Sequence, residues 1–201
     1  DHISPDMANF AARASQGHIG RARYLATNES VRSNRKAIMQ LPLQLSSLAA
    51  AFQAAQTLVD LATEEANNAS EARDEAEIEK LQEAYGKGAT GRGMATGGSK
   101  AVKELEKEQK SRATRMVRDS IDGALLDIAT FYRDVMMVQS GNDGSLINAD
   151  MHHEIQSYAS THPLHTAITK IEAIMDARTK LASNAAPLLT CEALMCQLAR
   201  K

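Results

Sequence analysis

The stretch IDGALLDIATFYRDVMMVQ, from Ile121 to Gln139, constrains this chain more than any other. Ile121, Leu125, Ile128, Tyr132 and Val135 fall at steps of four, three, four and three. That spacing lays an apolar stripe along one side of an α-helix. Leu126, Ala129, Phe131, Met136 and Val138 widen the stripe almost to the full circumference, and only Asp122, Asp127, Arg133 and Asp134 carry charge. A helix apolar on so many sides must be surrounded by other helices. It is expected to be the central helix of a bundle.

Bulk numbers agree with a packed protein. The chain has 201 residues, 43% of them hydrophobic and 24% charged, enough to bury a real core. A net charge of -2 gives no global basic field for nucleic acid. Aromatic residues make up 3%, with no Trp, so few rings are available to stack bases. Cys191 and Cys196 stand five apart on a predicted helix, about 500° of rotation, so they do not share a face. Both are read as core-facing or half-buried thiols of a reducing compartment rather than a disulfide. No signal-peptide pattern opens the chain, and no apolar run approaches the roughly 18 residues of a membrane span. The chain starts at Asp1 rather than Met, which leads us to expect further sequence upstream.

All four prolines sit where helices can begin. Ser4-Pro5-Asp6 reads as a cap with Pro at the first helical position, opening a helix that stops near Gly17. A short helix is expected from about His18 to Thr27, and Asn28 opens another to about Gln40. Pro42 ends that helix and begins the next. Thr161-His162-Pro163 opens an amphipath carrying Ala167, Ile171, Ile174 and Leu181, and Asn184-Ala185-Ala186-Pro187 opens the last helix. No stretch alternates convincingly enough for a strand. The fold class is all-α.

From Leu41 onward, Leu45, Leu48, Phe52, Ala55, Val59, Ala62, Ala66 and Ala69 continue a seam of alternating fours and threes, like one side of a coiled coil. The helix then turns acidic, with eight acidic and two basic residues between Glu64 and Ala84. A segment from Tyr85 to Ser99 holds six of the eleven glycines and reads as a flexible tip. From Lys87 to Arg118 nine residues are basic and three acidic. An acidic helix, a glycine tip and a basic helix are expected to fold back as an antiparallel hairpin with opposite charges facing.

Motifs that carry chemistry are sparse. The glycine segment lacks the Lys-Ser/Thr ending and the preceding strand that a phosphate-binding loop requires, so it reads as a linker. His152, His153, His162 and His165, with Glu154, suggest a metal site, since His162 and His165 lie one helical turn apart. Pro163 places them at a helix start, where capping or solvated histidines are the ordinary outcome. The basic run Lys100 to Arg118 offers at most non-specific contact with phosphates, the plainer reading being a solvated face. No Ser/His/Asp or Cys/His arrangement is readable, and the carboxylates are expected mostly on exposed faces. No catalytic residue, metal ligand or cofactor is assigned.

Two stretches together resemble a known family. AARASQGHIGRAR, from Ala11 to Arg23, is similar to the sensor-2 helix of AAA+ clamp-loader subunits, in which a serine and a glycine precede, by three positions, an arginine that reaches ATP. LLDIATFYRDVMMVQSG and IEAIMDARTKLASNAAPLLTCEALMCQLARK, within Ala124 to Lys201, are similar to the collar domain. The resemblance is greatest to the delta-prime branch of bacterial DNA polymerase III, of the actinobacterial kind. It covers nearly the whole chain outside the charged hairpin. Counting from Gly17, the family's arginine falls on Gly20, with Arg21 one place along and rotated by about 100°. This degenerate sensor-2-like set, Gly17, Gly20 and Arg21, suits a subunit that is not an ATPase.

The resemblance implies a helical AAA+ lid over residues 1–40 and a helical collar over 41–201, with 67–114 an inserted charged hairpin whose tip is 85–99. It further implies a cytoplasmic, non-catalytic structural subunit with motor (gamma/tau) and delta subunits as partners. Contact with the sliding clamp and primed DNA would be indirect, through the assembly, and no membrane is involved. The rivals are a helical coiled-coil adaptor that binds a partner through its charged hairpin, and a metal-dependent helical-bundle enzyme using the histidines.

Overall fold

The computed structural model describes residues 3–86 and 97–200, and every regular element among them is helical. Eight α-helices follow in order: α1 Pro5–Ala14, α2 Ile19–Thr27, α3 Glu29–Gln40, α4 Leu48–Ala84, α5 Gly98–Gln139, α6 His152–Thr161, α7 Leu164–Ala182 and α8 Pro187–Leu198. The expected flexible tip at 85–99 falls largely on residues 87–96, outside the described residues. Its edges are Tyr85 and Gly86, which turn after α4, and Gly98 and Ser99, which already belong to α5.

Local chemistry sets most helix ends. Ser4 caps α1, its Oγ accepting from the Met7 amide at 3.2 Å, with Pro5 in the first turn. α5 ends on a glycine cap. Gly141 takes φ +72°, a conformation that favours residues without a Cβ, and the Asn142 amide reaches back to the Met137 carbonyl at 2.9 Å. α7 ends the same way with Asn184 at φ +65° and the Ala185 amide on the Lys180 carbonyl. Asn184 therefore closes α7 rather than opening α8, which starts after Ala186 with no side-chain cap. Asparagine tolerates the left-handed region, so a residue read as a start signal serves equally as a stop.

The chain divides into two compact units. One comprises the chain up to Leu61 together with the chain from Ile121; the other is Ala62–Ser120. In the first, Ile121, Leu125, Ile128, Tyr132 and Val135 are all fully buried, as a central helix requires. Phe131, Tyr132 and Tyr158 meet edge to face at centroid distances of 5.3–5.8 Å, joining α5 to α6. A satellite cluster of Ala11, Ala14, Leu25 and Val31 holds α1, α2 and α3 together. α7 packs on α8.

The seam read from Leu41 is buried at Leu41, Ala55, Ala62 and Ala66 but needs correction over its first turns. Leu41–Gln44 forms a short 3-10 turn, and α4 starts only at Leu48, where the Ser47 hydroxyl accepts from the Ala50 amide at 3.1 Å. Leu48 and Phe52, expected inside, are 63% and 44% exposed, while Ala51, Ala54 and Leu58 are buried. The first turns of α4 are apolar on two adjoining faces, and only packing chooses between them.

The second unit is an antiparallel helix pair. The Gln109 side-chain amide donates to the Asp74 carbonyl at 2.9 Å, Arg112 pairs with Asp74 at 2.9 Å and also with Glu77, and Arg73 reaches Met116. Residues rising along α4 thus meet residues falling along α5. Hydrogen bonds from Arg112 and then Gln109 hold the Glu77 carboxyl below its ordinary range.

Candidate interaction surface

Two features of the first unit bear on function: a buried polar node and an exposed apolar stripe. The node is centred on the carboxylates of α5. Asp127, 3% exposed, accepts from Arg35 Nε at 3.1 Å and forms an ion pair with Arg21. Arg35, itself 5% exposed, also donates to the Asn148 side-chain carbonyl. The Asn148 side-chain amide donates to Thr130 Oγ1 at 3.0 Å and to Asp134 at 2.9 Å. Fully buried Asp134 accepts the backbone amides of Ile147 and Asn148, at 3.1 and 2.7 Å, and pairs with Arg133 at 2.7 Å.

The carboxylates expected on exposed faces therefore include two that are buried. Each is affordable because charge and hydrogen bonds surround it. One signal was present in the sequence. Asp127 and Asp134 lie seven apart, two helical turns, on a largely apolar stretch of helix. Their partners, Arg35 and Asn148, carried none.

The three residues of the sensor-2-like set gather at the α1–α2 turn. Gly17 adopts φ +87° after α1, and His18 caps α2, its Nδ1 accepting from the Arg21 amide at 3.0 Å. A Cβ on Gly20 would lie 3.2 Å from the His18 ring, so this glycine gives the capping ring room. The Arg21 guanidinium is committed to Asp127 and ties α2 to α5.

The histidines have separate duties. The His162 ring stacks on Tyr158 at 3.9 Å, and its Nδ1 lies 3.1 Å from the Tyr158 carbonyl at the end of α6. Gln139 bonds to the Ala159 and His162 carbonyls there. His165 lies in the first turn of α7. Among the described residues no group of three or more His, Cys, Asp or Glu side chains is placed to hold a metal ion. Lys170 is 7% exposed and donates to the Leu198 carbonyl at the end of α8 and to the Arg200 carbonyl just beyond it, with its ammonium 5.8 Å from the Tyr132 ring centre. Burial lowers its pKa. Lys170 also lines a cleft of about 500 Å³ between the Leu41–Gln44 turn, α6 and the end of α8. Its ammonium is already spent on carbonyls and rings, so it stabilises a helix end.

The apolar stripe lies on α7. Ala167, Ile174, Ala177 and Leu181 are buried, but Leu164, Ile168 and Met175 are 44%, 41% and 36% exposed. With half-buried Ile171 these follow steps of four, three and four along a second face. A helix apolar on two faces has one to offer a partner. The stripe falls inside the one region that a known family claims. Residues 118–198 match the family of DNA polymerase III, delta subunit, C terminal. The match supports kinship with clamp-loader subunits over the second half of α5 through α8. No curated protein and no solved structure matches the chain. No described helix is long and apolar enough to cross a membrane.

Proposed function

We propose that this chain is a structural, non-catalytic subunit of a replicative DNA polymerase clamp loader, of the delta-prime type. Its partners are the motor (gamma/tau) and delta subunits in the cytoplasm, and through them the sliding clamp and primed DNA. Residues 41–201 act as the collar and residues 1–40 as most of an AAA+ lid. The observation that carries the reading is the family match over residues 118–198. The exposed stripe of Leu164, Ile168 and Met175 within that region supports it. A collar must bury one apolar face internally and present another to its neighbours.

In this role the chain performs no reaction. Its helices pack first with one another and then with sister subunits, forming a rigid end against which a motor neighbour works. The test is co-expression with motor and delta subunits lacking their own end subunit. Co-elution as one stoichiometric assembly is expected. Separate elution, or ATP hydrolysis by the isolated polypeptide, would overturn the reading.

A further inference from the structure

The charged helix pair holds an arrangement that charge pairing across the hairpin does not explain. Lys100, Lys103, Lys107 and Lys110 follow steps of three, four and three on α5. They occupy one face about 80° wide, and their Cα atoms extend over about 15 Å. All four are exposed, Lys100 to 83% of its side chain. The face of α5 that meets α4 is the opposite one, carrying Val102 and Gln109, which are 9% and 8% exposed, and then Arg112. The lysines therefore point away from the acidic helix. Glu71, Glu75 and Glu79 are likewise exposed, on the face of α4 opposite buried Ala66 and Ser70. Arg73, Gln109 and Arg112 engage the α4 carboxylates Asp74 and Glu77, whereas the lysine stripe makes one ion pair, Lys100 to Glu104 at 4.0 Å within its own helix.

We propose that this lysine stripe is a sequence-independent docking site for the phosphate backbone of duplex nucleic acid. Three observations select that occupant. The stripe gathers four ammonium groups, with Glu104 at its edge beside Lys100, and binding of a dense polyanion gains free energy by releasing its condensed counterions. Among the described residues of 62–120 no large apolar side chain is exposed, so a protein partner would find no apolar centre to bury. No aromatic ring lies on the stripe, which removes the stacking platform that single strands use. Lysine ammonium groups act as mobile point charges, suited to phosphates at any register rather than to base edges. Charge and geometry carry this assignment, and it stands whether or not the chain joins a clamp loader.

The test uses the full chain and a fluorescently labelled mixed-sequence DNA duplex, with binding read by anisotropy across a salt series. Four lysines releasing counterions predict a slope of log K against log salt of about -3.6. Affinity should fall about a hundredfold between about 50 and about 200 mM salt. A variant with Lys100, Lys103, Lys107 and Lys110 all changed to Gln should lose at least tenfold in affinity, with a slope near zero. Its helical circular dichroism should stay unchanged, because the side chains are exposed. Changing Glu71, Glu75 and Glu79 to Gln should leave binding unchanged or tighten it. The proposal fails if the unmodified chain shows no salt-dependent binding, or if the lysine variant binds equally well. It also fails if poly-glutamate competes as strongly as duplex, or if the lysines mediate self-association instead of DNA binding.

Discussion

At the scale of single residues, Asp127 has the largest predicted effect. It neutralises Arg35, which is 5% exposed, and holds Arg21 from a second helix. Changing Asp127 to Ala leaves a buried guanidinium without its counter-charge, which costs about 3–5 kcal/mol. Urea denaturation should show that loss, and the double variant with Arg35→Met should recover part of it, because removing both charges removes the uncompensated one. Cys191 makes a second prediction. Burial, helped by neighbouring Glu192, pushes its thiol up to about 12. Unfolded, the thiol ionises near its ordinary value; folded, it stays protonated. The unfolded state therefore binds fewer protons in that window, and stability falls as pH rises from about 9 towards 12. Cys191→Ala should flatten this alkaline decline in thermal melts. A thiol reagent at mild pH should label half-buried Cys196 and spare Cys191 until the protein is unfolded.

At the scale of elements, each unit owns its core. The buried side chains of α1 to α3, α6 to α8 and the Ile121–Gln139 part of α5 all lie outside Ala62–Ser120, as do all members of the polar node. Deleting 67–114 and joining the ends with a short turn should leave a helical, cooperatively melting bundle. Loss of cooperative unfolding would show that the helix pair belongs to the core. Helix ends and stripes on this scale were largely readable beforehand. Ser4-Pro5, the buried stripe of α5 and the end of α2 at Thr27 need only neighbours three or four residues away. The charged pair was readable as two opposed helices, but not the direction of its charges. The lysines turn outward because Val102 and Gln109 claim the inner face, and an exposed ammonium keeps its hydration.

At the scale of the whole molecule, an unmatched apolar face is the feature that needs a partner. Each of Leu164, Ile168 and Met175 would contribute up to about 1.5–3 kcal/mol if fully buried, less for the part already covered. Ile168→Asp should leave the melting curve nearly unchanged, since exposed substitutions usually shift stability by less than about 0.5 kcal/mol. The same change should weaken co-elution with motor and delta subunits at least tenfold. Leu48→Asp on the exposed face of α4 makes the comparison: if it breaks the assembly and Ile168→Asp does not, the contact lies on α4 instead.

The sequence was sufficient for what depends on near neighbours: that the chain is helical, roughly where α1, α2, α3, α7 and α8 begin and end, and that the Ile121–Gln139 part of α5 is wrapped by others. Periodicity and capping act within one or two turns, so a linear pattern contains them. It could not say which of two apolar faces of α4 goes inward, nor that Asp127 and Asp134 are buried. Those outcomes depend on pairs such as Arg35 and Asp127, which lie 92 residues apart and meet only once the bundle has closed. A carboxylate reads the same on paper whether water or an arginine surrounds it; the folded neighbourhood supplies the difference.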